Sequence, residues 1–307
     1  PTERFYARPM RVAITGSTGL IGSALKPHLE SLGHQVVRVV RSSPSGTDIS
    51  WSPAEGRIDS HALDGVDAVV HLAGAGIGDK RWTEARKQEV LESRTRGTAL
   101  LAETLASLQA KPSVFVSGSA IGYYGHRGDD VVTEATPSGG GFVSRVCVEW
   151  EAAAQPAVDA GIRTVFIRTG IVLAPKGGAF GKLVPLFKLG LGGKMGAGRE
   201  WWSWISLDDE VRAIRFLIDH DVQGPVNLTA PSPARNAEIT RALGEVLHRP
   251  TFLTVPSFGP KLLLGSELAE SLLFMSQRIE PTVLMGHGFE FHHPEITSAL
   301  RDVLGRG

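Results

Sequence analysis

Residues 11–22 read Arg-Val-Ala-Ile-Thr-Gly-Ser-Thr-Gly-Leu-Ile-Gly, and this stretch decides the fold. Val12, Ala13 and Ile14 form the short apolar run of a strand buried on both faces. Gly16, Gly19 and Gly22 follow at three-residue spacing. Leu20, Ile21, Ala24, Leu25, Leu29 and Leu32 then recur at helical intervals, and Gly33 is a C-terminal stop. A strand, a glycine turn and a helix leave unpaired backbone N–H groups where a dinucleotide pyrophosphate can lie against the helix dipole. One glycine serves the tight turn, one the close approach of the phosphates and one the packing of helix on strand.

The elements that follow extend this pattern. Residues 35–40 read as a second strand ending at Arg41 and Ser42. An acidic residue there would accept hydrogen bonds from an adenosine ribose, whereas Arg41 suits a 2′-phosphate, so the position favours NADP over NAD. Residues 43–65 are rich in Ser, Pro, Gly and Asp and are expected to form a variable connection. Residues 66–74 form a third strand running into the small residues Ala73 and Gly74, with His71 read as a core histidine. A long helix is predicted over Glu84–Leu108. A fourth strand over 112–117 ends in Gly-Ser-Ala-Ile-Gly-Tyr-Tyr-Gly at 118–125. Ser117 and Ser119 thus fall at the strand's C-terminal end, where ligands bind in parallel sheets. A helix over Phe142–Ala160 and a fifth strand over 163–168 complete a β-α-β alternation. That alternation argues for a parallel sheet with helices on both faces.

Residues 176–199 change character: they are glycine-rich, carry several lysines, and read as a mobile substrate-side loop. Asp208 is expected to cap a helix over 210–219, and Asn236 another up to His248. Residues 225–229 read as a sixth strand. The tryptophans at 201, 202 and 204 are expected to pack rather than stack on a ligand. The tail lacks β-α rhythm and is expected to hold helices near 262–275 and 295–304. His287, His292 and His293 have no metal-ligand spacing, so no metal site is predicted.

Bulk properties bound the function. The chain has 307 residues, 42% hydrophobic and 21% charged, which is enough for one large domain or a domain with a smaller lobe. Its 32 basic and 32 acidic residues cancel, so nothing draws it to nucleic acid or an anionic membrane. No basic stripe or aromatic platform supports a nucleic-acid-binding module. The single cysteine, Cys147, excludes an intramolecular disulfide and fits a reducing compartment. No apolar run reaches membrane-spanning length, and no signal peptide precedes the first strand. A cytoplasmic location is therefore expected. Residues 1–9 are polar and aperiodic and are expected to be a linker, a tag or the end of a longer polypeptide.

The chain resembles the extended short-chain dehydrogenase/reductase superfamily. The resemblance rests on residues 15–22, on Val-His-Leu-Ala-Gly at 70–74, on residues 117–125 and on the segment 227–250. Lys80-Arg-Trp82, Ser93-Arg94, residues 118–125, Leu-Gly-Leu-Gly-Gly at 189–193 and Trp204-Ile205 resemble an atypical branch. Its members are labelled epimerase-family proteins, sometimes nucleoside-diphosphate-sugar epimerases, and carry a C-terminal domain of unassigned function. The resemblance implies a Rossmann-type doubly wound parallel sheet over 10–175, rejoined by 204–230, with a smaller C-terminal substrate lobe from 176–203 and 231–307. It implies NADP(H) bound by Gly16, Thr18, Gly19, Leu20, Ile21 and Gly22, by Arg41 and Ser42, by Leu72, Ala73 and Gly74, and by Arg94 and Ser117. It also implies a homodimer formed through two sheet-flanking helices.

One departure matters. The superfamily uses a tyrosine four residues before a lysine; the lysine lowers the phenol's pKa so that it can exchange a proton as hydride moves. None of the three tyrosines here has a lysine at that spacing, and Val143 and Cys147 stand where the pair belongs. Ser119 alone matches the catalytic set, with Arg94 near the place of an active-site asparagine. Tyr123 and Tyr124, beside Ser119, are the candidate substitutes, and either needs a nearby cation such as Arg94 or Lys80. Two readings follow: an epimerase-like oxidoreductase acting on an unidentified small molecule, or a non-catalytic NADP(H)-binding sensor or regulator.

Overall fold

The apolar runs pair as the alternation predicts. In a computed structural model that describes residues 8–42 and 44–305, eight strands form one sheet. They are β1 (Arg11–Thr15), β2 (Gln35–Val40), β3 (Ile49–Ser52), β4 (Arg57–Ile58), β5 (Ala68–His71), β6 (Val114–Ala120), β7 (Arg163–Thr169) and β8 (Gly224–Leu228). Their order is β8-β7-β6-β5-β1-β2-β3-β4, parallel throughout except for β4 against β3. The order reverses between β1 and β5, which opens a crevice at the C-terminal ends of those strands. Most of the expected N-terminal linker or tag, residues 1–7, lies outside the described residues.

Alternation along each strand sends side chains to two faces. Val12 and Ile14 join Val116, Val165 and Ile167 against α1 (Leu20–Ser31) and, much later in the chain, α4 (Leu207–Asp219). Ala13, Val69 and Phe115 face Leu101 and Leu105 of α2 (Glu84–Ser107). Each fully buried Leu, Ile or Val stabilises the fold by about 1.5–3 kcal/mol, so both faces are firmly set. A third apolar cluster belongs to a smaller lobe. It unites Phe180, Val184 and Phe187 of the helix Gly178–Lys188 with Trp202, Trp204, Leu243, Leu247 and Leu300.

Several local expectations change. The stretch expected as a connection carries β3 and β4, because Ile49 and Trp51 alternate with Ser50 and Ser52 and turn inward. The helix expected over 142–160 stops at Ala152, giving α3 (Phe142–Ala152); a second short helix, Gln155–Asp159, carries Pro156 in its first turn, a residue that cannot continue the first helix. Ser206, not Asp208, caps α4, its Oγ accepting from the Asp209 N–H at 3.0 Å. Asn236 is the first helical residue, and its Oδ1 accepts from the Met195 N–H at 2.8 Å, tying the lobe together. The tail helices are Phe258–Leu264, Ser266–Leu273, Thr282–Gly286 and Ile296–Val303, with a break at Gly265. Trp202 and Trp204 are buried, while Trp201 donates through Nε1 to Asp129 and lies under Arg235 and Arg278. Among the described residues no helix is long and apolar enough to cross a membrane.

His71 is a core residue, with Nδ1 against Thr15 Oγ1 at 2.7 Å. Burial, and secondarily the Arg94 charge, pushes its pKa down from 6.5 to about 4. The unfolded chain therefore binds a proton that the folded chain rejects, and this contribution to stability is lost as pH falls from 6.5 towards 4. Denaturant midpoints of the wild type should decline across that window, and His71→Asn should show a shallower decline. A Gly22→Ala variant should be less stable by about 1–3 kcal/mol, read by the same titration, because its Cβ would lie 2.3 Å from the Gly16 carbonyl oxygen.

Candidate functional site

The glycine turn closes tightly. Gly16 has φ +67°, and any Cβ there would meet the Leu72 carbonyl carbon at 2.8 Å. The Gly19 N–H donates to the Gly16 carbonyl at 2.9 Å. The first turn of α1 has no capping side chain and no acidic residue, so its free N–H groups face the crevice unopposed. Across the crevice, Thr15 Oγ1 accepts from the Leu72 and Ala73 N–H groups at 3.1 and 3.2 Å, fixing the loop after β5.

Gly16, Gly19, Leu20, Ile21, Gly22 and Leu72 line one end of a cleft of about 190 Å³; Gly118, Ser119, Trp150, Ile167 and Thr169 line the other. Gly16 and Gly22 let the turn pack against the loop after β5 and against itself, exposed Gly19 keeps the backbone open on its outer side, and the helix N-terminus offers donors to an anion, so these residues fit a dinucleotide. Thr18 is exposed on the turn, and Arg41 and Ser42 are exposed just past β2. Arg38, three residues earlier, is already committed to Asp48, whereas Arg41 is exposed at the strand end. A larger, more open hollow of about 590 Å³ lies at the N-terminal ends of α2 and α3, lined by Lys87, Phe142, Arg145 and Glu267 among others. It shares no residue with the glycine-turn cleft.

Arg94 lies beneath the loop after β5. Its Nη1 donates to the Ala75 and Val90 carbonyls at 2.9 and 3.1 Å, and its guanidinium sits 4.9 Å from the Trp150 ring. Burial lowers its pKa, and it packs closely on Gly74, where a Cβ would lie 3.3 Å from the guanidinium carbon. Ser117 is fully buried, and its hydroxyl has no partner among the described residues. Lys80 is exposed.

Ser119 opens a polar network that sequence reasoning did not find. Its Oγ donates to Glu151 Oε1 at 2.6 Å, and Glu151 forms a bidentate ion pair with Arg168 at 2.8 and 2.9 Å. Arg168 continues to the Tyr124 hydroxyl at 3.0 Å, which donates to Asn227 Oδ1 at 2.6 Å. Burial opposes the Arg168 charge, but Glu151 more than compensates and raises its pKa. Tyr124 is fully buried, and burial pushes its phenol up to about 12, away from a base at neutral pH. Tyr123 is half-buried, with the Arg168 guanidinium 3.4 Å from its ring centroid. The cation beside both tyrosines is therefore Arg168, not Arg94 or Lys80. Cys147, where the superfamily lysine would stand, is buried, and burial pushes its thiol up to about 12.

Trp150, Ile167 and Thr169 of the cleft were also missed; Thr169 ends β7, so the strand-end rule that selected Ser119 would have found it. Asp208, Asp209 and His292 gather ligand-type atoms within 4.8 Å, a grouping invisible to sequence spacing. Protein donors already occupy Asp209: Arg212 Nη1 at 2.8 Å and the N–H groups of His292 and His293 at 2.8 and 2.9 Å.

Comparison with known proteins agrees with this geometry. The NAD dependent epimerase/dehydratase family matches residues 12–229, and a domain of unknown function, DUF1731, matches residues 255–303. An epimerase family protein of Mycobacterium bovis is 46% identical over 291 residues, covering 94% of this chain and 96% of that protein. The crystal structure of human epimerase family protein SDR39U1 with NADPH superposes with a TM-score of 0.89 at 34% identity, over 97% of this chain and all of that one, 100%. A nucleoside-diphosphate sugar epimerase from Corynebacterium glutamicum gives a TM-score of 0.80 at 38% identity, over 97% of this chain and 58% of that one. The chain belongs to the NAD dependent epimerase/dehydratase family.

Proposed function

We propose that this chain is an NADP(H)-dependent, epimerase-like oxidoreductase acting on a small molecule, sugar- or nucleotide-linked. One observation carries the reading: a single cleft runs from the glycine turn to Ser119, in a chain that superposes on an NADPH-bound relative. The turn of residues 16–22 holds the pyrophosphate, and Arg41 with Ser42 holds the 2′-phosphate. Leu72, Ala73 and Gly74 bound the adenosine side, while Arg94 supports the nicotinamide ribose from beneath the same loop. NADP(H), when bound, supplies or accepts the hydride.

Ser119 is the residue assigned to the substrate. Its proton is committed to Glu151, so towards the cleft its oxygen offers lone pairs. It therefore takes a hydrogen bond from a substrate hydroxyl and orients it, while Glu151, which Arg168 holds in place, fixes the serine in that orientation. Tyr123 borders this network, and Tyr124 fastens Arg168 rather than touching substrate. The sensor reading is kept as a second one, favoured by Val143 and the buried, unreactive Cys147 at the positions of the missing pair. A homodimer through the exposed faces of α2 and α3, where Val148 is 39% accessible, belongs to the same proposal. So does a cytoplasmic location, supported by the lone buried cysteine.

Nicotinamide fluorescence should report NADPH binding, and absorbance should report NADPH oxidation with a panel of carbonyl compounds and nucleotide sugars. Binding without turnover across the panel favours the sensor; no binding removes both readings. Arg41→Ala should weaken NADPH binding by about tenfold to a hundredfold and leave NADH binding unchanged. Ser119→Ala should retain NADPH binding and lose about a hundredfold or more in turnover. Tyr124→Phe should lower stability by about 1–3 kcal/mol, seen in the denaturant midpoint, with NADPH affinity within a fewfold of wild type.

A further inference from the structure

Glu210 stands in the first turn of α4 and is fully buried. Its Oε1 accepts from Thr169 Oγ1 at 2.8 Å, while its Oε2 has no partner among the described residues. The charged groups around it face elsewhere. On α4 itself, Asp208 meets His292 of the tail, Asp209 meets Arg212 and the His292 and His293 N–H groups, and Arg215 pairs with Asp219. From α1, His28 is coupled to Asp208, Arg215 and Arg212. Of the strands packed against α4, Trp204–Ser206 contributes only the capping Ser206 hydroxyl, which faces Asp209 and His293. Ile171–Leu173 is apolar, and β6 presents Gly118 towards the cleft. Among the described residues no cation reaches Glu210, and burial pushes its carboxyl up to about 8, which favours the uncharged acid at pH 7.

Thr169 connects this acid to the cleft, which it lines together with Ser119. The two hydroxyls lie on neighbouring strands, where Thr169 is in register with Ala120. Each is backed by a carboxyl from a different helix: Ser119 by Glu151, charged against Arg168, and Thr169 by Glu210, uncharged and alone. A carboxyl ion-paired to an arginine acts as an acceptor, and a buried one with no cation beside it suits a donor, so the two surroundings assign a base and an acid.

We propose that Thr169, backed by Glu210, is the proton-donating group of the cleft and that it stands in for the absent tyrosine–lysine pair; this rests on the NADP(H) reading above. With its proton on Oε1, Glu210 becomes the donor to Thr169 and turns the threonine proton towards the cleft. As hydride passes from NADPH to the carbon of a bound ketone or aldehyde, the carbonyl π pair takes the Thr169 proton and becomes an O–H bond. Thr169 recovers a proton from Glu210, which is left as a carboxylate. The carbonyl is reduced and NADPH is oxidised to NADP+; the reverse sequence oxidises the alcohol. Thr169 touches the substrate, and Glu210 is a positioning residue acting through it.

Infrared difference spectroscopy of the full chain tests this without a substrate, with NADPH binding followed separately by nicotinamide fluorescence. A protonated-carboxyl stretch should be present at pH 7, fade as pH rises through about 8 and be missing in Glu210→Gln. Adding NADPH or NADP+ should shift that band in the wild type. In Thr169→Val the band should persist but no longer respond, and Thr169→Ser should restore the response. Glu210→Gln, a neutral isostere, should melt no lower than wild type above pH 8. Absence of the band at pH 7, its survival in Glu210→Gln, no response to bound NADPH, or a response that survives Thr169→Val each overturns the proposal. Failure of NADPH to bind overturns the cofactor reading instead, while the band still reports on Glu210.

Discussion

The bidentate pair between Arg168 and Glu151 is the contact on which the centre of the molecule depends. Both groups are nearly enclosed, with side-chain accessibilities of 4% and 12%. A buried guanidinium without a carboxylate would carry a desolvation cost of several kcal/mol, and removing one partner of such a pair costs more than the pair itself contributes. Here the pair's own donors and acceptors find partners. Ser119 satisfies Glu151, the Tyr124 hydroxyl satisfies Arg168, and Asn227 on β8 satisfies Tyr124. The network thus crosses from α3 through β6 and β7 to β8, and it fixes where the end of β6 can lie relative to the cleft.

That placement explains how the chain dispenses with a tyrosine and lysine on α3. The helix still packs on β6, but its inward residues Val143 and Cys147 are apolar and buried, and Gly122 lies where a Cβ would meet Val143 at 2.3 Å. A long phenol reaching over Ser119 has no room in this packing. Buried carboxyls lie instead at two neighbouring positions: one turn further along α3 at Glu151, and across the sheet at Glu210 at the start of α4.

Much of the fold was legible because its signals are local. Three glycines, an apolar triplet and a helical repeat all fall within residues 11–32, and each strand announces itself by its own side chains. Boundaries failed where one residue decided the outcome, as at Pro156, or where a hairpin held only two inward side chains, as at Ile49 and Trp51. The residues expected to hold the cofactor's pyrophosphate are also close together in sequence, in the glycine turn. The other end of the cleft was not local: Glu151 and Arg168 are 17 residues apart, and Thr169 and Glu210 are 41 apart. Such pairs meet only because adjacent strands lie side by side with helices on opposite faces. Tyr124 misled for the same reason. Its neighbours in sequence are glycines and a serine, whereas its neighbours in space are Arg168 and Asn227.

The path of the chain through the sheet has a consequence for truncated chains. After β7 the polypeptide leaves the sheet, builds the helix Gly178–Lys188 and the segment to Trp202, and returns for α4 and β8. Until that return, β7 is an edge strand, and the face bearing Val165 and Ile167 has no α4 to cover it. A chain released with its end anywhere between residues 170 and 206 therefore presents an open strand and an uncovered apolar face. A fragment cut at the apparent end of the first domain has the same exposed edge.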